Sequence, residues 1–361
     1  MKMRKIVCSF MISVVCFMTA ISGVSATSYD TSKINAAYSK VVEYYKNNNN
    51  LNNADKILAV ESLGLEAESN QFDTSSANLS STSLSKKIVT EVLLGVDPTE
   101  DKKTLESQID ENGNVEGSWG ASSDVWTLYA LYVTSSEKTN LIANKLNDEL
   151  AASSVCGYEW GGTYYADYDT TGWVIEGLAV VNKEKYATTI NKAIDYIKNN
   201  TTMTTTGWVT ADNVDTQSQV LEGMFAYDTN SLLNDSYTIH PIDCLLNTQL
   251  SDGSFPSGYN AEFTTAEVAK TLGTYKNGSV FEKAKKAYDK MMNPEQPDNT
   301  KPAQPTDTKK DSQSTNKVET TNQKTTSVKT GDETNVVIFV SLSMVSGGLF
   351  LVLRKEYERV H

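Results

Sequence analysis

Apolar residues recur at three- and four-residue spacing through most of the chain from residue 32 to residue 292, the periodicity of helices that bury one face. The pattern predicts helices over 32–47, 53–64, 84–95, 99–108, 122–134, 137–152, 169–182, 184–199, 214–227, 241–250, 264–276 and 279–292. No run alternates convincingly with period two, so the expectation is an all-α domain of helices joined mostly by short loops. The three prolines of this stretch, Pro98, Pro241 and Pro256, each fall where a helix edge is expected.

The flanks follow other rules. Residues 1–26 place Lys2, Arg4 and Lys5 before an apolar run over 6–21 and end in Val24-Ser25-Ala26, the pattern of a secretory signal cleaved after Ala26. Residues 293–335 hold four of the seven prolines and then a Thr/Ser/Lys/Gln/Asn-rich stretch with little to bury, which reads as an extended spacer. A mostly apolar run over 336–353 is long enough to cross a bilayer, and the tail 354–361 opens on Arg354-Lys355, which marks the cytoplasmic side. Residues 27–292 form the expected folded domain, lying outside the cell.

A second periodicity overlies the first. The segments beginning at Ser123, Thr170, Thr216 and Thr264 align over nine residues, and their last hydrophobes, Leu131, Leu178, Met224 and Leu272, stand 47, 46 and 48 residues apart. That spacing suits one helix pair per repeat. Ahead of each segment stands a glycine-and-aromatic turn: Gly117-Ser118-Trp119, Gly157-Tyr158-Glu159-Trp160, Gly207-Trp208 and Gly253-Ser254-Phe255.

Two resemblances follow from these residues. Leu245, Gln249 and Gly253-Ser254-Phe255, with a looser copy at Leu105, Gln108, Gly117 and Trp119, resemble the Q-W repeat of the squalene-cyclase and protein-prenyltransferase superfamily. The resemblance implies an (α/α)6-type toroid, with inner helices around a central axis and outer helices around those. Ser327-Val328-Lys329-Thr330-Gly331, followed by the apolar run and basic tail, resembles the sortase sorting signal of Gram-positive surface proteins. That likeness implies cleavage between Thr330 and Gly331 and attachment to peptidoglycan, with sortase as partner; a simple C-terminal membrane anchor is the alternative.

Charge and composition narrow the function. The chain carries a net charge of -13, and residues 27–292 hold 20 lysines against 36 acids with no arginine, so binding nucleic acid through its phosphates is not expected. The same absence removes the guanidinium fork suited to a prenyl diphosphate. The two histidines, His240 and His361, exclude a multi-histidine metal site. His240 and Cys244, one helical turn apart, remain as a weak metal candidate, although His240 before Pro241 also fits a helix cap. Cys156 and Cys244 could be bridged or free. No cofactor is expected.

Candidate chemistry concentrates on the repeats. Asp169, in Asp167-Tyr168-Asp169-Thr170-Thr171, matches the proton donor of the cyclase motif, but Thr170 stands where that motif has a second acid, and Asp169 or Thr170 also suits a helix cap. Thr216 with Gln219 and Thr264 with Glu267 have capping-box spacing. Glu176 and Glu222 share a repeat position within apolar runs, where each either faces a wet cavity or pairs with a lysine of the adjacent helix. Trp119, Trp160, Tyr164, Tyr165, Trp173, Trp208, Phe255 and Tyr259 are expected to form an aromatic rim.

The leading expectation is therefore a surface-anchored binding protein for a small neutral or cationic ligand: a glycan, a corrinoid or a peptide. The second is an extracellular glycan-active enzyme using Asp169 with Asp215, or Glu176 with Glu222, as its carboxyl pair. A third is a purely structural protein whose axis is filled by side chains. Terpene cyclisation and prenyl transfer are less favoured than any of these.

Overall fold

The computed structural model describes residues 28–68, 79–205, 208 and 214–294. The expected signal sequence, most of the expected spacer, the sorting-like residues with Thr330 and Gly331, and the expected membrane segment lie outside the described residues. Among the described residues no helix is long and apolar enough to cross a membrane.

The fold is mostly helical. Its elements are α1 (Thr31–Asn47), α2 (Ala54–Ser62), α3 (Ser81–Leu93), α4 (Thr99–Ser107), α5 (Ala121–Val133), α6 (Thr139–Ser153), β1 (Cys156–Trp160), β2 (Thr163–Asp167), α7 (Tyr168–Asn200), α8 (Val214–Asn234), α9 (Pro241–Leu246), α10 (Ala261–Asn277) and α11 (Val280–Met292). Helix α7 breaks at Asn182, whose side chain accepts from Lys185 N at 3.0 Å and so caps its second half. Helix α8 breaks in the same way at Asp228, which accepts from Ser231 N at 3.0 Å. Both breaks are N-caps placed inside a continuous helical run.

Helices α2, α3, α5, α7, α8 and α10 touch in that order, and α10 returns to α2. The remaining helices lie against this circuit: α4 on α3 and α5, α6 on α5 and α7, α1 on α10 and α9. Helix α11 packs on α2, α3, α5 and α10 together. Its Phe281 stacks on Tyr129 of α5 with ring centroids 3.6 Å apart, and Lys283 pairs with Glu61 at 2.7 Å.

Glycines set the closest approach in the circuit. A Cβ at Gly172 would lie 2.4 Å from the Gln219 carbonyl oxygen, and one at Gly223 would lie 2.4 Å from the Gly172 carbonyl oxygen. Helices α7 and α8 therefore pack backbone to backbone, which no larger residue allows.

The second residue of each nine-residue repeat segment ties down the turn before it. Ser118 Oγ donates to Asp124 at 2.6 Å, Cys156 N to Thr171 Oγ1 at 2.9 Å, Trp208 N to Gln217 Oε1 at 3.2 Å, and Phe255 N to Thr265 Oγ1 at 3.0 Å. In the Q-W-like segment, the Gln249 amide donates to Ala37 O at 3.1 Å and Gly253 O at 3.2 Å, stapling the last repeat to α1. Gly253 adopts φ +94°, and a Cβ there would meet the Lys40 carbonyl oxygen at 2.3 Å.

One element was not expected. Residues 156–167, read as a turn, form an antiparallel hairpin closed by Gly161 and Gly162 at φ 58° and 78°. Two successive positive-φ residues make the tight turn whose twist matches paired strands. Tyr158 faces Tyr165 across the ladder with centroids 5.5 Å apart. Strands of five residues carry too short an alternation to stand out from a loop.

Candidate functional site

The repeat alignment converts directly into geometry. Position seven holds Tyr129, Glu176, Glu222 and Lys270 in successive repeats, and position four holds Trp126, Trp173, Gln219 and Glu267. Three residues apart on one helix, these positions share a face, and that face points inward. Lys270 Nζ lies 3.0 Å from Glu267, 3.8 Å from Glu222 and 5.5 Å from the centre of the Trp126 ring. Glu176 accepts from Ser279 Oγ at 2.7 Å and from Tyr129 OH at 3.2 Å, and Gln219 Nε2 donates to Glu267 at 3.3 Å.

This cluster is sealed: Glu176, Glu222 and Lys270 are 1%, 0% and 1% exposed. Of the two alternatives for these residues, Glu222 takes the lysine pairing, with Lys270 of the adjacent helix, and Glu176 takes neither, meeting two hydroxyls. Burial pushes Glu176 up to about 7 and raises Glu222 well above its ordinary range. Burial opposes the charge on Lys270, but the surrounding carboxylates outweigh it and the net direction is upward. Lys270 lies closest to Glu267, and this ion pair offsets the cost of burying the ammonium.

Exposure returns toward the helix N-termini. Asp169 and Asp215 stand four residues before Trp173 and Gln219 on the same faces, one turn nearer the helix starts, and both are half-buried, as is Trp173. Burial, with Asp167 next in weight, raises Asp169 to about 7; burial raises Asp215 to about 6. Each is hydrogen-bonded to the next repeat, Asp169 to Thr216 and Asp215 to Thr264. Neither Asp169 nor Thr170 is the cap of α7. Asp167 takes that place, accepting from Thr170 N at 2.7 Å and Thr170 Oγ1 at 3.0 Å. The capping boxes expected at Thr216 and Thr264 are also absent, because α8 and α10 begin two and three residues earlier and Asn260 caps α10. Gln219 and Glu267 are thereby free to turn toward the axis.

Asp55 of α2 pairs with Lys86 of α3 at 2.8 Å, and Lys86 Nζ lies 4.3 Å from the Trp126 ring centre. Burial opposes the charge on Asp55, but Lys86 outweighs it and holds the carboxyl below its ordinary value. Trp126 therefore meets two cations, Lys86 and Lys270. The sequence reading did not single out Glu267, Gln219 or Lys270 as axial residues, although their repeat positions mark them.

The expected aromatic rim divides. Trp119 and Trp160 are 38% and 40% exposed with ring centroids 5.2 Å apart, joined through Glu159 N donating to Trp119 O at 2.7 Å. Tyr164 is exposed and donates to Glu149 at 2.8 Å, Tyr165 is half-buried beside Tyr158, and Tyr259 is exposed. Trp208 and Phe255 are wholly buried, and Trp208 Nε1 donates to Thr201 Oγ1 at 2.8 Å. Those two rings are packing residues and present no surface to a ligand. The repeat needs one aromatic per turn for its core, and they fill that need.

His240 caps α9 by accepting from Ile242 N at 3.2 Å, and its other ring nitrogen meets Leu232 O at 3.3 Å. Cys244 Sγ donates to Thr204 O at 3.0 Å, so this pair is engaged with backbone. Cys156 and Cys244 are both free and buried. Comparison of the chain with family models, curated proteins and solved structures gave no match.

Proposed function

We propose that the chain is a surface-displayed binding module with an (α/α)-toroid arrangement, taking a small neutral or cationic ligand at the N-terminal mouth of its inner helices. One observation carries this reading: the inward face is half-buried at Asp169, Asp215 and Trp173, and is sealed one to two turns deeper at Glu176, Glu222 and Lys270. The cyclic contact order of α2, α3, α5, α7, α8 and α10 supports the toroid, and the packing of α11 on four of these helices supports closure at one end. The acids favour cations and reject anions, while the Trp119–Trp160 pair offers apolar faces beside them. Secretion through residues 1–26, with anchoring by 327–353 to peptidoglycan through Thr330 or to the membrane directly, would display this mouth outside the cell. Titration calorimetry with neutral saccharides, a corrinoid and polyamines tests the reading. Asp169→Asn with Asp215→Asn should weaken binding of a cation, and absence of binding by every class would refute it.

A glycan-cleaving enzyme is the second reading. It is favoured by two mouth carboxyls from neighbouring repeats, one raised to about 7 and one to about 6, a pairing suited to acid and base roles. Release of reducing ends that is abolished by Asp215→Asn would establish it over simple binding.

A further inference from the structure

Away from the axis, α3 carries a lysine in an unusual setting. Lys87 and Glu91 share the buried stripe of that helix with Leu84 and Ile88. Lys87 is 5% exposed and Glu91 4%. The Lys87 Nζ lies 2.8 Å from Glu91 Oε1 and also touches Oδ2 of Asp101, in the first turn of α4. The Asp101 side chain is itself only 13% exposed. One amine is thus enclosed by two carboxyls, one on its own helix and one on the next. Lys270, the other sealed lysine, is arranged differently: its near partner Glu267 lies on its own helix, and the Glu222 oxygen from α8 is 3.8 Å away.

Such an enclosure favours chemistry as well as attraction. Ionised groups closed off from water lose their hydration, and passing a proton from the amine to a carboxyl removes two charges at once. Burial raises the Glu91 carboxyl above its ordinary value, against the opposing effect of Lys87, so this oxygen readily takes a proton. An amine that has given up its proton is a nucleophile. The carboxyl carbon of Asp101 is one bond beyond the oxygen that Nζ touches. Well-oriented groups held in contact react as if present at about 10⁵–10⁸ M, far above the concentration of the water that would reverse the step.

We propose that Lys87 and Asp101 become joined by an amide bond that the folded chain forms by itself, with Glu91 carrying the proton. Lys87 Nζ attacks Asp101 Cγ, Glu91 takes a proton from the nitrogen and returns it to the departing oxygen, and the C–O bond breaks. An ammonium and a carboxylate give one amide and one water, Glu91 is restored, and no oxidant, metal or second substrate is needed. The bond would tie α3 to α4 and close the loop between them in the unfolded chain as well.

Mass spectrometry of the full chain after trypsin tests this. Trypsin does not cut after an acylated lysine, so the linked form gives residues 87–102 as one peptide lighter by one water, and the unlinked form gives 88–102. Further cleavage after Glu91 should leave the pieces of the linked peptide joined. Lys87→Arg, Asp101→Ala and Glu91→Gln should each abolish the linked product. If the parent chain yields only 88–102 at its full mass, Lys87 and Asp101 form an ion pair and the proposal is overturned. A linked product that persists in Asp101→Ala places the bond elsewhere and overturns it too, and one that persists in Glu91→Gln removes Glu91 as the proton carrier.

Discussion

Replacing Glu176 by Gln should make the domain's stability less sensitive to alkaline pH. Glu176 is buried, its two hydrogen-bond donors are Ser279 at 2.7 Å and Tyr129 at 3.2 Å, and burial raises it from 4.5 to about 7. With the folded value above the unfolded one, its contribution is fully present below pH 4.5 and is lost as pH rises through about 7. Integrating over that window gives a loss of about 2–3 kcal/mol between pH 5 and pH 8. Gln cannot ionise and keeps the shape, so the stability difference between Glu176→Gln and the parent should grow by about 2–3 kcal/mol over the same interval. For a domain of this size that is a relative shift in Tm of about 4–12 °C. Urea and thermal unfolding of both proteins at pH 5 and pH 8 measure it. A difference that is the same at both pH values would refute the buried, protonated Glu176.

Lys270→Met removes the one ammonium facing Glu222 and Glu267 and should cost about 3–5 kcal/mol at pH 7, read by urea unfolding; adding Glu267→Gln should recover part of it. Gly172→Ala and Gly223→Ala each drive a Cβ to within 2.4 Å of a carbonyl oxygen and should lower stability by at least about 1–3 kcal/mol, visible in Tm, whereas Gly258→Ala, with open space around it, should be nearly neutral. Replacing Thr330 or Gly331 should shift the protein from the cell-wall fraction to the membrane or medium; unchanged fractionation after both substitutions would leave direct membrane anchoring as the reading.

Much of the architecture was legible in the chain. Three- and four-residue periodicity placed the helices to within a few residues, including the separation of α7 at Asn182, because a helix that buries one face must repeat its apolar positions. The repeat spacing of 46–48 residues also put Glu176 and Glu222 at one repeat position. The hairpin was missed because five-residue strands alternate too briefly, and the Asp167 cap because Asp169 and Thr170, two and three residues on, suit the same role. The rim was overread at Trp208 and Phe255, since an aromatic next to a glycine looks alike whether it packs or projects.

Local pattern determined which residues line the inward stripe, since spacing along a helix fixes its faces whatever lies opposite. What they meet was decided only by tertiary packing. Glu176 and Glu222 read as identical positions, yet one meets the hydroxyls of Ser279, which caps α11, and Tyr129 of α5, and the other a lysine of α10. Whether a buried carboxyl is hydrated, protonated or paired depends on groups 47 to 103 residues away in sequence, and no pattern local to it encodes them. The same holds nearer the helix starts. Asp169 and Asp215 are half-buried while Glu176 and Glu222 are sealed, a difference that the repeat pattern does not specify.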